Sequence, residues 1–351
     1  MQELRIEKNE SGQRLDKYLK KVFPQAPSNV LYKQLRNKNI TLNRSKATGN
    51  EILHVSDLIQ CFFSEETYRK FRGISENTAV NPEYEKAFQQ FHDIHVLYED
   101  EDIVVLDKPA GILCQKSESA SLSVNEWLIG YLLHSKAISK SVLQTFHPSV
   151  CNRLDRNTSG ILLCSKSLRG AQALTYIVRE RFIRKFYRTI CEGCIDSAQE
   201  IDGFLIKDHK KNKVFLTSSK NHTQTSDFDN SSMIRTRFSP LRSNTQYSLL
   251  EVELITGKTH QIRAHLASIG HPLLGDVKYG AKSLHNLSGN RDQNDRHLLH
   301  AQRVVFPNIK DLSDISDHER SVLERLSDLV IEAPIPAQFL KFEETLFKKK
   351  G

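Results

Sequence analysis

Asn152-Arg153-Leu154-Asp155-Arg156-Asn157-Thr158-Ser159-Gly160-Ile161-Leu162-Leu163-Cys164 is a polar loop that runs straight into an apolar segment. Thr, Ser and Gly punctuate the loop, and Ile161 to Cys164 reads as a strand. Within the loop, Asp155 stands between two arginines. Adjacent positive charge keeps such a carboxylate ionised at neutral pH. An ionised, positioned carboxylate can attack an electrophilic carbon and form a covalent intermediate. The same pattern also fits a structural acid that caps the loop or pairs with arginine.

Two more blocks carry chemistry-bearing residues. In Lys185-Phe186-Tyr187-Arg188-Thr189-Ile190-Cys191-Glu192-Gly193, strand alternation sets Tyr187 on the face opposite Phe186. A tyrosine can stack on a flipped base and move a proton through its hydroxyl, although most strand tyrosines are simply half-buried. In Thr256-Gly257-Lys258-Thr259-His260-Gln261-Ile262-Arg263-Ala264-His265-Leu266, a strand (Tyr247 to Ile255) turns at Gly257 into a helix. Thr259 fits its cap, and Gly270 and Pro272 fit its stop. Gly257-Lys258-Thr259 is not a nucleotide-binding P-loop, because that motif needs glycine where Val252 stands. His260, His265 and His271 lack a completing Cys, Asp or Glu in a metal-ligand pattern, so they read as structural or RNA-facing. With Ile103-Val104-Val105-Leu106 and the helical stretch Ser167 to Arg181, residues 92–347 read as an α+β domain.

Upstream the composition changes. Residues 1–62 hold 11 Lys/Arg against 6 Asp/Glu, whereas the remainder is near balance within a chain of net charge +8. That asymmetry points to a polyanion partner. Leu15, Leu19 and Val22 share a helix face, with Lys17, Lys20 and Lys21 largely away from it. Pro24 ends that helix, and Ser28 caps a second one that turns Leu31 and Leu35 inward. Ile40 to Asn43 reads as a strand, a turn follows near Arg44-Ser45-Lys46, and a closing strand begins at Val55. Residues 64–91 read as a linker, interrupted by Pro82, and 283–296 as a polar loop. The six cysteines form no metal-ligand framework and read as reduced thiols. No apolar run approaches the ~20 residues of a membrane span, and the first residues lack a signal-peptide core. A cytoplasmic protein is the expectation.

Together with Asp107-Lys108-Pro109-Ala110-Gly111, Gly270 to Asp276, Leu298-Leu299-His300-Ala301 and the tail Ile331 to Pro336, these blocks resemble the RluA-type pseudouridine synthases. The likeness covers nearly all of 92–347 in the expected order. Gly12-Gln13-Arg14-Leu15-Asp16-Lys17-Tyr18-Leu19, Leu35-Arg36 and Ile40 to Asn43 make residues 12–63 similar to the alpha-L RNA-binding module. That pairing resembles the RluC-type branch, which acts on large-subunit ribosomal RNA. Asn152 stands where many relatives carry histidine, and Lys258 replaces a frequent arginine.

The resemblance implies an α+β fold with a mixed or antiparallel sheet, and an enzyme that turns specific uridines in RNA into pseudouridine. It implies Asp155 as the group that starts glycosidic cleavage, Tyr187 against the base, and Arg263 paired with Asp155. No metal, cofactor or bound nucleotide is needed. RNA contacts are expected from Arg14, Lys17, Lys33, Arg36 and Lys38, and from Arg153, Arg156, Lys258, His260 and Gln261. The alternative is a non-catalytic RNA-binding or ribosome-assembly factor on the same fold.

Overall fold

The computed structural model describes residues 1–73, 81–116, 121–208, 213–217, 231–281, 284 and 296–348. Apart from Leu284 and Arg296, the polar stretch 283–296 lies outside them.

The N-terminal unit runs through β1 (Gln2–Arg5), α1 (Leu15–Val22), α2 (Ser28–Arg36), β2 (Ile40–Leu42), β3 (Ser45–Lys46) and β4 (Leu58–Cys61). Its antiparallel sheet has the order β1-β4-β2-β3. Leu15, Leu19 and Val22 are buried, as their spacing demands, against Leu31, Leu35, Ile40 and Ile59. Three local details differ from expectation. Ser28 is the first helical residue, and no side chain caps α2. Asn43 and Arg44 take φ of +51° and +65°, which is the backbone of a two-residue hairpin turn. Ser45 and Lys46 are thereby freed to pair with Leu42 and Thr41. Ser56, at φ +75°, turns the chain so that β4 starts at Leu58.

The stretch 64–91 was expected to be a linker, yet it carries two helices, α3 (Glu65–Arg72) and α4 (Pro82–Gln90). Ser64 and Asn81 cap them through side-chain oxygens. Pro82 occupies the first turn, where its missing N–H costs nothing. Tyr68 of α3 packs edge-on to Phe23 in the first unit. Ala87 of α4 belongs to the core that follows. The polar surface of both helices hid these few apolar anchors.

The remaining elements are β5 (His95–Glu99), β6 (Ile103–Lys108), α5 (Val124–His134), β7 (Ser149–Val150), β8 (Ser159–Ser165), α6 (Leu168–Arg179), β9 (Arg184–Glu192), β10 (Gln199–Asp208), β11 (Lys213–Thr217), β12 (Ser232–Ser243), β13 (Tyr247–Leu254), α7 (Gln261–Ser268), β14 (Leu299–Val305), α8 (Asp317–Leu326), β15 (Val330–Glu332) and α9 (Ala337–Phe347). One sheet runs β11-β10-β12-β13-β9-β14-β8-β6-β5, with β15 on β14 and β7 on β8. Only β8 and β14 are parallel among its described pairs, so the sheet is mixed and the fold α+β.

Both faces of the central strands are covered. Val104, Leu106, Leu162 and Cys164 face Trp127 and Leu128 of α5 and Ile262 and Leu266 of α7. Ile103, Val105, Ile161 and Leu163 face Ala173, Leu174 and Ile177 of α6 and Val322 and Leu323 of α8. Strands buried on both sides read as unbroken apolar runs, which is how β6 and β8 look in the sequence. The N-terminal unit rests on the start of α6: the Leu168 amide donates to Asn9 Oδ1 at 2.8 Å.

The join that positions the chemistry is Gly160 against Ala301. Gly160 has φ +104°, and a Cβ there would sit 2.2 Å from the Ala301 carbonyl oxygen. Gly160→Ala is therefore expected to cost on the order of 3 kcal/mol through strain and displaced backbone. A denaturant titration checks it, and an unchanged midpoint would contradict this role.

Candidate active site

Asp155 sits in the loop between β7 and β8, and that loop is tied down from several sides. Lys108 at the end of β6 is fully buried. Its Nζ donates to the carbonyls of Pro109 and Ile112 at 2.9 Å and of Arg156 at 3.1 Å. Burial pushes its pKa down to about 8, which leaves it charged at neutral pH. The Gly111 amide also donates to the Arg156 carbonyl, at 2.7 Å. Cys114 Sγ lies 3.2 Å from the Leu154 amide and 3.3 Å from the Leu154 carbonyl, so the thiol brackets the residue before Asp155. Asn152 Oδ1 accepts from the Leu163 amide at 2.7 Å, which stitches the loop to β8. The upstream Asp107–Gly111 block and Asn152 thus act on the shape of this loop.

Arg263 reaches Asp155 from the first turn of α7. Its Nη1 donates to Asp155 Oδ2 at 2.9 Å. Its Nε and Nη2 donate to the two oxygens of Asp276 at 2.6 and 2.8 Å. Asp276 is 1 % exposed, whereas the Asp155 side chain keeps 22 % exposure. One guanidinium thus holds a sealed carboxylate on one edge and an accessible one on another. In the sequence Asp276 only ends the Gly270 to Asp276 block; a lone Gly-Asp after a helix gives no sign that it grips Arg263. Tyr279 completes the setting, with the Arg263 guanidinium 5.0 Å from its ring centre.

Burial alone would raise the Asp155 carboxyl. His260, Arg263 and the Arg263 hydrogen bond pull it the other way, and the net displacement is downward. Burial pushes both His260 and His297 to about 4, so neither imidazole carries charge at neutral pH. The histidine pull on Asp155 therefore acts only in acid, where the imidazoles protonate. At neutral pH the Arg263 guanidinium, 2.9 Å away, is the charge in contact with the carboxylate. His260 Nε2 stands 3.8 Å from Asp155, and its Nδ1 is 3.0 Å from the Tyr279 hydroxyl.

Tyr187 lies on β9, opposite Val252 of β13 and Ala301 of β14, and is buried. Burial raises its phenol well above 10, so it stays protonated. Asp155, Tyr187 and Arg263 all line one cavity of about 1040 Å³. That is room for an extruded nucleotide and its neighbours.

The expected RNA contacts divide. Arg153, Arg156 and Lys258 are exposed at this cavity. Lys17, Lys33, Arg36 and Lys38 are exposed on the first unit. Arg14 is committed to Asp16 and Asn50. Gln261 is buried, and its side chain is used internally. Its Oε1 accepts from Thr256 Oγ1 and the Lys258 amide, and its Nε2 donates to the Arg235 carbonyl and Thr236. It shapes the turn into α7 rather than facing RNA. Thr259 does not cap that helix; His260, at φ +55°, precedes it. The three histidines of the region do not converge. His265 bonds Thr236, and His271 lies 2.8 Å from the Glu192 carbonyl.

The sequence model of the family described as RNA pseudouridylate synthase matches residues 102–268. A ribosomal large subunit pseudouridine synthase C of Rickettsia prowazekii is 30 % identical over 299 residues, spanning 85 % of this chain and 92 % of the relative. The chain belongs to the RNA pseudouridylate synthase family. An uncharacterised RNA pseudouridine synthase of Mycoplasma genitalium is 28 % identical to this synthase over 312 residues, covering 87 % of this chain and 89 % of the relative. The solved human RNA pseudouridylate synthase domain containing 4 shares the fold of the synthase, with TM-score 0.57 and 21 % identity. It spans 76 % of this chain and 97 % of its own. No helix among the described residues is long and apolar enough to cross a membrane.

Two expectations follow from this geometry. Asp276→Ala removes the sealed partner of Arg263 and should cost about 3–5 kcal/mol in a denaturant titration; a loss below 1 kcal/mol would contradict the clamp. Burial pushes His260, His265, His297 and His300 down to about 4. Between that value and 6.5 the unfolded chain binds protons that the folded chain refuses. Stability should be full above pH 6.5 and decline toward pH 4, so the melting temperature should fall from pH 7 to pH 5. A rise over that interval would contradict neutral buried histidines.

Proposed function

We propose that this RNA pseudouridine synthase acts on large-subunit ribosomal RNA in the cytoplasm, using Asp155 to open the glycosidic bond, Tyr187 to pack on the base and Arg263 to hold Asp155 ionised. The observation that carries the reading is the 2.9 Å contact of Arg263 with Asp155 on the cavity that Tyr187 also lines. The choice of ribosomal RNA is supported by the names of relatives from Rickettsia, Vibrio and Buchnera, all ribosomal large subunit pseudouridine synthases C. We read residues 12–63 as an RNA-binding module and 92–347 as the catalytic domain.

The reaction is an isomerisation that needs no external reactant. The bond from ribose to uracil nitrogen breaks, the freed ring turns, and ribose bonds to carbon five. Carbon five gives up a proton, which is lost to water, and the freed ring nitrogen gains one in its place. Asp155 starts the sequence because it is the ionised, accessible carboxylate of the site. Tyr187 keeps its own proton, so it takes up the one from carbon five only in step with passing its proton to a base. Asp155 is the accessible carboxylate lining the same cavity, whereas Asp276 is sealed against Arg263. Extruding the nucleotide costs a few kcal/mol, which favours unpaired or loop uridines. Phosphate contacts from Arg153, Arg156 and Lys258, and from Lys33, Arg36 and Lys38, offset that cost.

Asp155→Asn should abolish tritium release from RNA labelled at carbon five of uridine. Its melting temperature should stay near that of the parent, because Arg263 retains both bonds to Asp276. Continued release would refute the assignment. Tyr187→Phe should slow release by about 10²–10⁴-fold, the usual range for a lost proton-transfer group; an unchanged rate would restrict Tyr187 to packing. Mapping pseudouridine in large-subunit ribosomal RNA with and without the gene tests the substrate. Identical maps would exclude it.

A further inference from the structure

Lys185 lies two residues before Tyr187 on β9. The strand period puts both on one face, about 6.5 Å apart along the chain, and both line the cavity. Most cations around that cavity are accounted for. Arg263 is held by two carboxylates, and Lys116 pairs with Glu83. Arg153, Arg156 and Lys258 stand in solvent. Lys185 differs from all of these. It is partly buried, and among the described residues it has no carboxylate within ion-pair distance.

A charge drawn out of water is normally paired or hydrogen-bonded. The charged neighbour of Lys185 is another cation, Arg181, and burial together with that neighbour pushes its pKa down. Its Nζ lies 3.5 Å from where a Cβ of Gly257 would sit, so the ammonium rests beside the bare turn that leads into Lys258. Among the described residues no carboxylate balances this charge. It stands one strand repeat from Tyr187 on the wall of the same cavity.

We propose that Lys185 binds a backbone phosphate of the RNA beside the uridine that enters the cavity. The phosphate supplies the counter-charge that Lys185 lacks among the described residues, and the ammonium sets how far the nucleotide can slide along β9 past Tyr187. Lys185 is a substrate-anchoring residue, separate from the exposed lysines that attract RNA at long range. The inference rests on the reading that uracil meets Asp155 in this cavity.

The test uses the full chain and total RNA from cells lacking the gene, tritiated at carbon five of uridine. For Lys185→Met, KM should rise about tenfold or more, by a larger factor than kcat falls. The slope of log KM against log salt should become shallower by about 0.7–0.9, the share of one phosphate. Lys185→Arg should recover most of the affinity and the slope. Lys185→Gln serves the same purpose if the methionine variant does not fold. An unchanged KM and slope would overturn the proposal, and so would a higher KM that arginine does not restore. Should Asp155→Asn still release tritium, the reading of the cavity fails instead, a result separable from any behaviour of Lys185.

Discussion

Everything in this site depends on how one guanidinium is shared. Arg263 spends two of its donors on Asp276, which is sealed from solvent, and a third on Asp155, which is not. A buried arginine without partners is costly, and a buried pair broken on one side costs several kcal/mol. Asp276 removes that penalty permanently. Asp155 therefore does not have to hold the fold together, and its carboxylate can leave its contact during a reaction without unfolding the protein. Separating the sealed acid from the one we propose as reactive lets a strong ion pair coexist with chemistry.

The sheet delivers the parts to one place. Strands β8, β14 and β9 lie side by side, so the loop entering β8 and the middle of β9 open onto the same cavity. Gly160 allows β8 and β14 to approach as parallel neighbours. Lys108 gathers three carbonyls beneath the Asp155 loop, and the Cys114 thiol fixes the residue before it. Such backbone ties set where the carboxylate points, and a preorganised charge costs little reorganisation during reaction. His260 and His297 stay neutral by burial, which leaves the guanidinium as the positive charge on Asp155.

Much of this was legible in the chain. The apolar runs of β6 and β8, the alternation around Tyr187 and the spacing of Leu15, Leu19 and Val22 each have a period that burial enforces. Asp155, Tyr187 and Arg263 carry recognisable blocks, and the cavity unites them. What escaped was decided by tertiary contact. Gln261 looks like a surface amide until the turn around Lys258 closes on it. Arg14 looks free until Asp16 and Asn50 meet it. Asp276 gains meaning only from the α7 arginine it faces, and Lys185 only from the absence of an acid opposite it among the described residues. The helices in 64–91 hide because each is anchored by a few apolar residues within a polar surface.

The central claim is that Arg263 keeps Asp155 ionised at working pH, and a carbon-13 NMR titration of the Asp155 carboxyl tests it most directly. The resonance should hold its carboxylate position from pH 8 down to pH 5, with any midpoint lying below the ordinary aspartate value of about 3.9. A titration midpoint at or above pH 5 would contradict the account.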